Sequence, residues 1–181
     1  MKNIIIILVL GFILGIVGIS GCTSSGSSYN STFSDGSISF NYPSDFNNAT
    51  APGDIISGSK TWINVGYLAN NDGVGIKIQK NSKTNDPSGT REVSDNAIKN
   101  GDINTGEVLS HTTETNPNGI VVYKSINTLK NPDTGDVVKY IDYYFKDNKG
   151  FVYAISVNDL ESNYESVSDT ANIIFNSLSL K

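Results

Sequence analysis

The chain's only cysteine, Cys22, ends the stretch Ile19-Ser20-Gly21-Cys22, between an apolar run and a tract rich in Ser, Thr, Gly and Asn. These four residues have the form of a lipobox. A branched apolar side chain sits three before the cysteine, and small residues fill the peptidase subsites directly before it. In that setting the Cys22 thiol forms a thioether to a diacyl- or dialkylglyceryl group, and cleavage makes Cys22 the new N-terminus. Two lipid chains hold a protein stably on a membrane where one does not. A lone cysteine forms no intramolecular disulfide, so the compartment is read from this motif and not from bridges.

The preceding segment fits that chemistry. Lys2 leads into the apolar stretch Ile4–Ile19, which is long for a secretory core and short of the ~20 residues of a membrane span. The alternative is an uncleaved anchor with Cys22 incidental, and both readings put the rest of the chain outside the membrane. The expected organisation is a signal peptide with lipobox over 1–21, a flexible tether over 22–35, and one folded domain over 36–181. The tether has too little apolar surface to offset the entropy of ordering. Asn30-Ser31-Thr32 and Asn48-Ala49-Thr50 match the glycosylation sequon, which makes Asn30 and Asn48 candidates for modification outside the cytoplasm.

Elsewhere reactive side chains are sparse. The single histidine, His111, lies in a Ser/Thr-rich strand and cannot build a multi-histidine metal site. Asp133 and Asp136 in "NPDTGD" lack the alternating ligands and distal Glu of a calcium loop, and the stretch reads first as a hairpin turn. "NNDG" at Asn70–Gly73 reads the same way. No catalytic residue, metal or cofactor is therefore assigned. With 13 Lys plus Arg against 18 Asp plus Glu, the net charge is −5, and an acidic domain has no general attraction for nucleic acid. "YIDYYF" gathers Tyr140, Tyr143 and Tyr144, a candidate partner surface if the rings are exposed. The competing reading is that they only cover the sheet. Trp62 is expected in the core or at its edge.

The elements that must carry these residues follow from period. Ile38, Phe40 and Tyr42 alternate with polar residues, as do Ile63, Val65 and Tyr67, and then Val74, Ile76 and Ile78. Four more strands read from "GEVLSHTTET", "GIVVYKSINTLK", "DVVKYIDYYFK" and "FVYAISVN". Their links "NPNG", "NPDTG" and "DNKG" are too short to cross a sheet, so these four form an antiparallel meander. "TREVSDNAIKNG" brings Val93, Ala97 and Ile98 to one helical face, with Gly101 as its stop. Tyr164, Val167, Ala171, Ile174, Phe175 and Leu178 form the stripe of a helix packed on the sheet, and Ser162 with Glu165 suggests a capping box. The expected class is α+β, an antiparallel sheet of about six to seven strands with helices on it.

"GSISFNYPSDF", the late "KYIDYYFKDNKGFVYAISV" hairpin and the closing "ANIIFNSLSL" resemble the PsbP-like family, in particular PsbP-related archaeal lipoproteins, over roughly residues 36–180. The resemblance implies an α/β/α sandwich on an antiparallel sheet. It transfers no site residue, because the matching positions are core and turn residues. The reading is a lipid-anchored extracytoplasmic domain on the cell membrane. It acts as a non-catalytic binding or accessory module with an unknown protein or envelope partner. A hydrolytic enzyme using Asp/Glu carboxylates and a structural envelope component stay open as alternatives.

Overall fold

The computed structural model describes residues 31–49, 62–81, 86–101 and 105–181. The leader, Cys22, Asn30 and Thr50 lie outside the described residues. In chain order the elements are β1 (Ser31–Ser34), β2 (Ile38–Tyr42), β3 (Asn47–Asn48), β4 (Trp62–Ala69), β5 (Gly75–Asn81), α1 (Pro87–Lys99), β6 (Thr105–Thr115), β7 (Val121–Lys130), β8 (Val137–Lys146), β9 (Val152–Leu160), α2 (Tyr164–Ser177) and β10 (Ser179–Leu180).

The strands form two antiparallel sheets, β1-β2-β10 and the seven-stranded β3-β4-β5-β9-β8-β7-β6. The fold is α+β, and β6 to β9 make the expected meander. The expected first strand, Ile38–Tyr42, belongs to the small sheet and not the large one. Ser31–Ser34, assigned to the tether on composition, is a paired strand. Phe33 supplies the reason: its ring stacks on Phe40 at 5.0 Å between centroids, an apolar anchor within a polar tract.

One face of the large sheet carries Leu68, Ile76, Ile78, Ile141, Tyr143, Phe145, Tyr153, Ile155 and Val157. Against it pack Ile38 and Phe40 of the small sheet and Val167, Ala171, Ile174 and Leu178 at α2. This is the core. Within it Tyr153 donates to Asp35 Oδ2 at 2.6 Å, and Lys80 pairs with Asp147 at 3.4 Å, tying the β1–β2 turn and the β8–β9 turn to the sheet. Phe175 is only half-buried, packing at the edge of the stripe on Tyr143 with ring centroids 5.8 Å apart. The capping box does not form. A 3-10 turn over Glu161–Asn163 makes Asn163 the cap residue, and its side chain donates to Asp159 Oδ2 at 2.8 Å instead.

α1 lies on the opposite face, over β6, β7 and β8. It begins earlier than its apolar pattern suggested, because Asp86 and Pro87 are a start signal: Asp86 Oδ2 accepts from Gly89 N at 3.0 Å, and Pro87 needs no donor there. It stops at Gly101, whose φ of +74° suits glycine. Ile98 is buried, but Val93 is 71% exposed, so the three expected face residues do not share one burial. Asp95 is buried instead and accepts from Ser125 Oγ at 2.6 Å.

β4 departs from strict alternation. The register shifts between Asn64 and Gly66, so Val65 sits in a bulge and Ile63 turns outward, 55% exposed. Beyond the bulge Gly66 and Leu68 face the core, and Tyr67 faces the α1 side.

Candidate functional site

The strand register lays out the α1 face of the large sheet as transverse rows. One row runs Tyr67, Lys77, Ser156, Asp142, Ser125. The next runs Gly75, Asn158, Tyr140, Asn127. On the other side comes Gln79, Ala154, Tyr144, Tyr123. On the central strand β9 the cleft-facing positions Ala154 and Ser156 are small, Gly75 opens the start of β5, and α1 packs over β6 to β8. Small side chains beside a one-sided helix leave a hollow. It is a cleft of about 680 Å³ between α1 and the sheet, within the range of small-molecule sites.

Most of its lining is carbon. Val93, Ala97 and Ile98 supply the helix wall, Leu129 one end, and Trp62, Tyr67 and Tyr140 the aromatic part. Gly75 makes room for Tyr67: a Cβ there would stand 2.7 Å from the Tyr67 hydroxyl oxygen. Tyr144 is buried beneath α1, where its hydroxyl bonds to Ser94.

Polar groups cluster on the floor. Asn127, 1% exposed, donates from Nδ2 to Asp142 Oδ2 at 2.9 Å, and Ser156 also bonds to Asp142. Gln79 Nε2 donates to Asn64 Oδ1 at 2.9 Å. Burial pushes the Asp142 pKa up. The Ser156 and Asn127 hydrogen bonds pull against that, and the charge of Asp95 adds to it. Burial, then the neighbouring Asp142 and Tyr67, pushes Tyr140 up to about 12, so its hydroxyl stays protonated. Burial raises Tyr67 as well.

The three tyrosines of "YIDYYF" do not form one surface. Strand period places Tyr140 and Tyr144 on the cleft face and Tyr143 on the core face, 2% exposed. Only Tyr140 is half-buried; Tyr144 is 5% exposed. The rings are cleft wall and core, which is the competing reading, and the candidate exposed patch is not formed by Tyr143 and Tyr144. Trp62 is half-buried and lines the cleft. Sequence reasoning passed over Asp142, although a carboxylate inside an aromatic strand was its visible signal.

The other candidates lie elsewhere. His111 is on β6, an edge strand, with Nδ1 3.4 Å from Asp95 Oδ2. Asp133 and Asp136 sit in an exposed turn held by its own side chains: Asn131 Oδ1 accepts from Asp133 N at 2.9 Å, and Thr134 Oγ1 donates to Asp136 Oδ2 at 2.6 Å. In the Asn70–Gly73 turn, Asn70 Oδ1 accepts from Asp72 N at 3.1 Å and Val74 N at 2.9 Å. Among the described residues no group of three or more His, Cys, Asp or Glu is placed to hold a metal. Asn48 is exposed in the short edge strand β3.

No family model and no curated protein matches the sequence. Solved structures do. Cyanobacterial PsbP (CyanoP) from Synechocystis sp. PCC 6803 aligns with a TM-score of 0.57 at 10% identity, over 90% of this chain and 99% of that one. The Saccharomyces cerevisiae Ran-binding protein Mog1p aligns with a TM-score of 0.52 at 12% identity, over 83% and 94%. A Bacteroides thetaiotaomicron protein aligns with a TM-score of 0.52 at 14% identity over 84% of this chain, which spans about half of that protein's length at 49%. At these identities the likeness establishes architecture alone: the chain has the PsbP-like α+β fold.

Proposed function

We propose that this chain is a binding or accessory module, held at the outer face of a cell membrane through a lipid on Cys22, whose ligand sits in the cleft between α1 and the large sheet. The observation that carries the reading is the cleft itself, about 680 Å³ with an apolar and aromatic lining and polar groups gathered on its floor. Sites that recognise small molecules have that division of labour. The same fold serves a Ran-binding protein in yeast, which supports a binding role for the architecture.

The hydrolytic alternative needs two carboxylates converging on one bond. The cleft is lined by Asp142 and Asp86, and they have separate roles. Asp142 is bonded by Asn127 and Ser156 on the floor, and Asp86 caps α1. That division favours binding over turnover.

The anchoring half of the proposal rests on the Ile19-Ser20-Gly21-Cys22 motif after an apolar leader. Intact mass of the protein extracted from its own membranes tests it. The expected species begins at Cys22 and carries a lipid increment. A chain retaining Met1–Gly21 with a free thiol would replace the lipid by the uncleaved anchor.

A further inference from the structure

We infer that the cleft takes a small organic cation, an ammonium group on an apolar body, with Asp142 as its counter-charge and the rings of Tyr140 and Tyr67 beside it. This deepens the proposal that the cleft is a ligand site and rests on it.

Asp142 is bonded by two neutral groups, Asn127 and Ser156, and makes no ion pair with Lys, Arg or His within 4 Å among the described residues. Asp142 is half-buried in the cleft lining, and a carboxylate partly withdrawn from water gains from a cation that meets it. An amide there could still accept from Asn127 but would turn its NH2 toward Ser156, so the acid is set apart by its charge and its second acceptor oxygen. The two neutral bonds also leave acceptor capacity on a carboxylate, which has about four lone-pair sites.

The surroundings fit the same partner. Aromatic faces attract cations, most strongly when water is excluded, and Trp62, Tyr67 and Tyr140 all line the cleft. Asp95 of α1 adds to the negative potential at Asp142 and is itself paired with Arg91 at 3.9 Å. Lys77 opposes it from the same row, two strands away from Asp142. An anionic ligand would meet Asp142 directly. A neutral one would leave its charge unmatched.

The chain's only tryptophan lines the cleft, so Trp62 fluorescence reports on binding there. Full-length protein in detergent is titrated with benzyltrimethylammonium, benzylammonium, benzyl alcohol and benzoate, all with one ring and differing in charge. The expected result is that both cations bind at least about tenfold more tightly than the alcohol, with benzoate weakest. Asp142→Asn should abolish the preference and leave the alcohol unchanged. Tyr140→Leu, which keeps bulk and removes the ring, should weaken the cations more than the alcohol. Alcohol or benzoate binding as tightly as the cations overturns the cation assignment while leaving the cleft as a ligand site. No binding of any of the four, by Trp62 fluorescence and by titration calorimetry alike, also overturns it; whether the cleft holds another ligand is then decided by the molecule it retains on purification.

Discussion

Asn127 donates to Asp142 across neighbouring strands at 2.9 Å, and this diagonal pair fixes the polar floor of an otherwise apolar cleft. Because the Asp142 pKa is raised in the folded chain, its protonated form favours folding. That contribution is full below 3.8, the value for an unperturbed group, and is lost as pH rises through the raised value. Asp142→Asn, which cannot ionise, should therefore gain stability relative to wild type as pH rises from acid to neutral. Denaturant melts of both proteins across that range check it. A constant difference would mean that Asp142 is solvated as in water.

Asn116 joins the β6–β7 turn to the end of α2. Its Nδ2 donates to Phe175 O at 3.1 Å and Leu178 O at 2.7 Å, and its Oδ1 accepts from Asn118 N at 3.0 Å and Ile120 N at 2.9 Å. Asn116→Ala leaves buried backbone groups without partners and should cost about 1–3 kcal/mol. Urea unfolding measures it. A midpoint unchanged from wild type would show that water replaces these bonds at no cost.

Gly106 on β6 lies under α1. A Cβ there would collide with the Thr128 carbonyl oxygen and approach Leu129 Cδ2 to 2.6 Å and Ile98 Cγ2 to 3.0 Å. Gly106→Ala should lift the end of α1 from the sheet, at a cost of about 1–3 kcal/mol. Amide exchange should quicken in α1 and stay unchanged in α2. Equal protection in both helices would contradict this placement of α1.

Ile174 and Phe175 separate what was legible from what was not. The spacing of Val167, Ala171, Ile174 and Leu178 identifies the helix and its face, and all four are buried. Phe175 has the same spacing relation but lies at the edge of the stripe. Accordingly Ile174→Ala should cost about 2–5 kcal/mol and Phe175→Ala less. Thermal melts rank the two, and the reverse order would put Phe175 inside the core.

The meander was readable for a similar reason: alternating strands joined by turns too short to cross a sheet have one simple arrangement. Tyr140, Tyr143 and Tyr144 could also have been divided between faces from period two alone. The cleft itself was not readable. It depends on Ala154 and Ser156 of β9 facing the same side as Gly75 of β5, on a bulge at Val65 that turns Tyr67 toward them, and on α1 covering only part of that face. Each is a tertiary fact about register or docking, which local pattern does not encode. The buried Asp95 in α1 escaped for the same reason, since its partner Ser125 is distant in sequence.

The central claim is that the cleft between α1 and the sheet holds a small molecule. Ala154→Phe would fill it from the floor with a residue that strands favour. Wild type and this variant, both taken from their native membrane, are compared by native mass spectrometry and again after denaturation. The account predicts a small molecule retained by folded wild type, released on unfolding, and absent from an equally folded Ala154→Phe protein. The same bound mass on both proteins, or none on wild type, would contradict it.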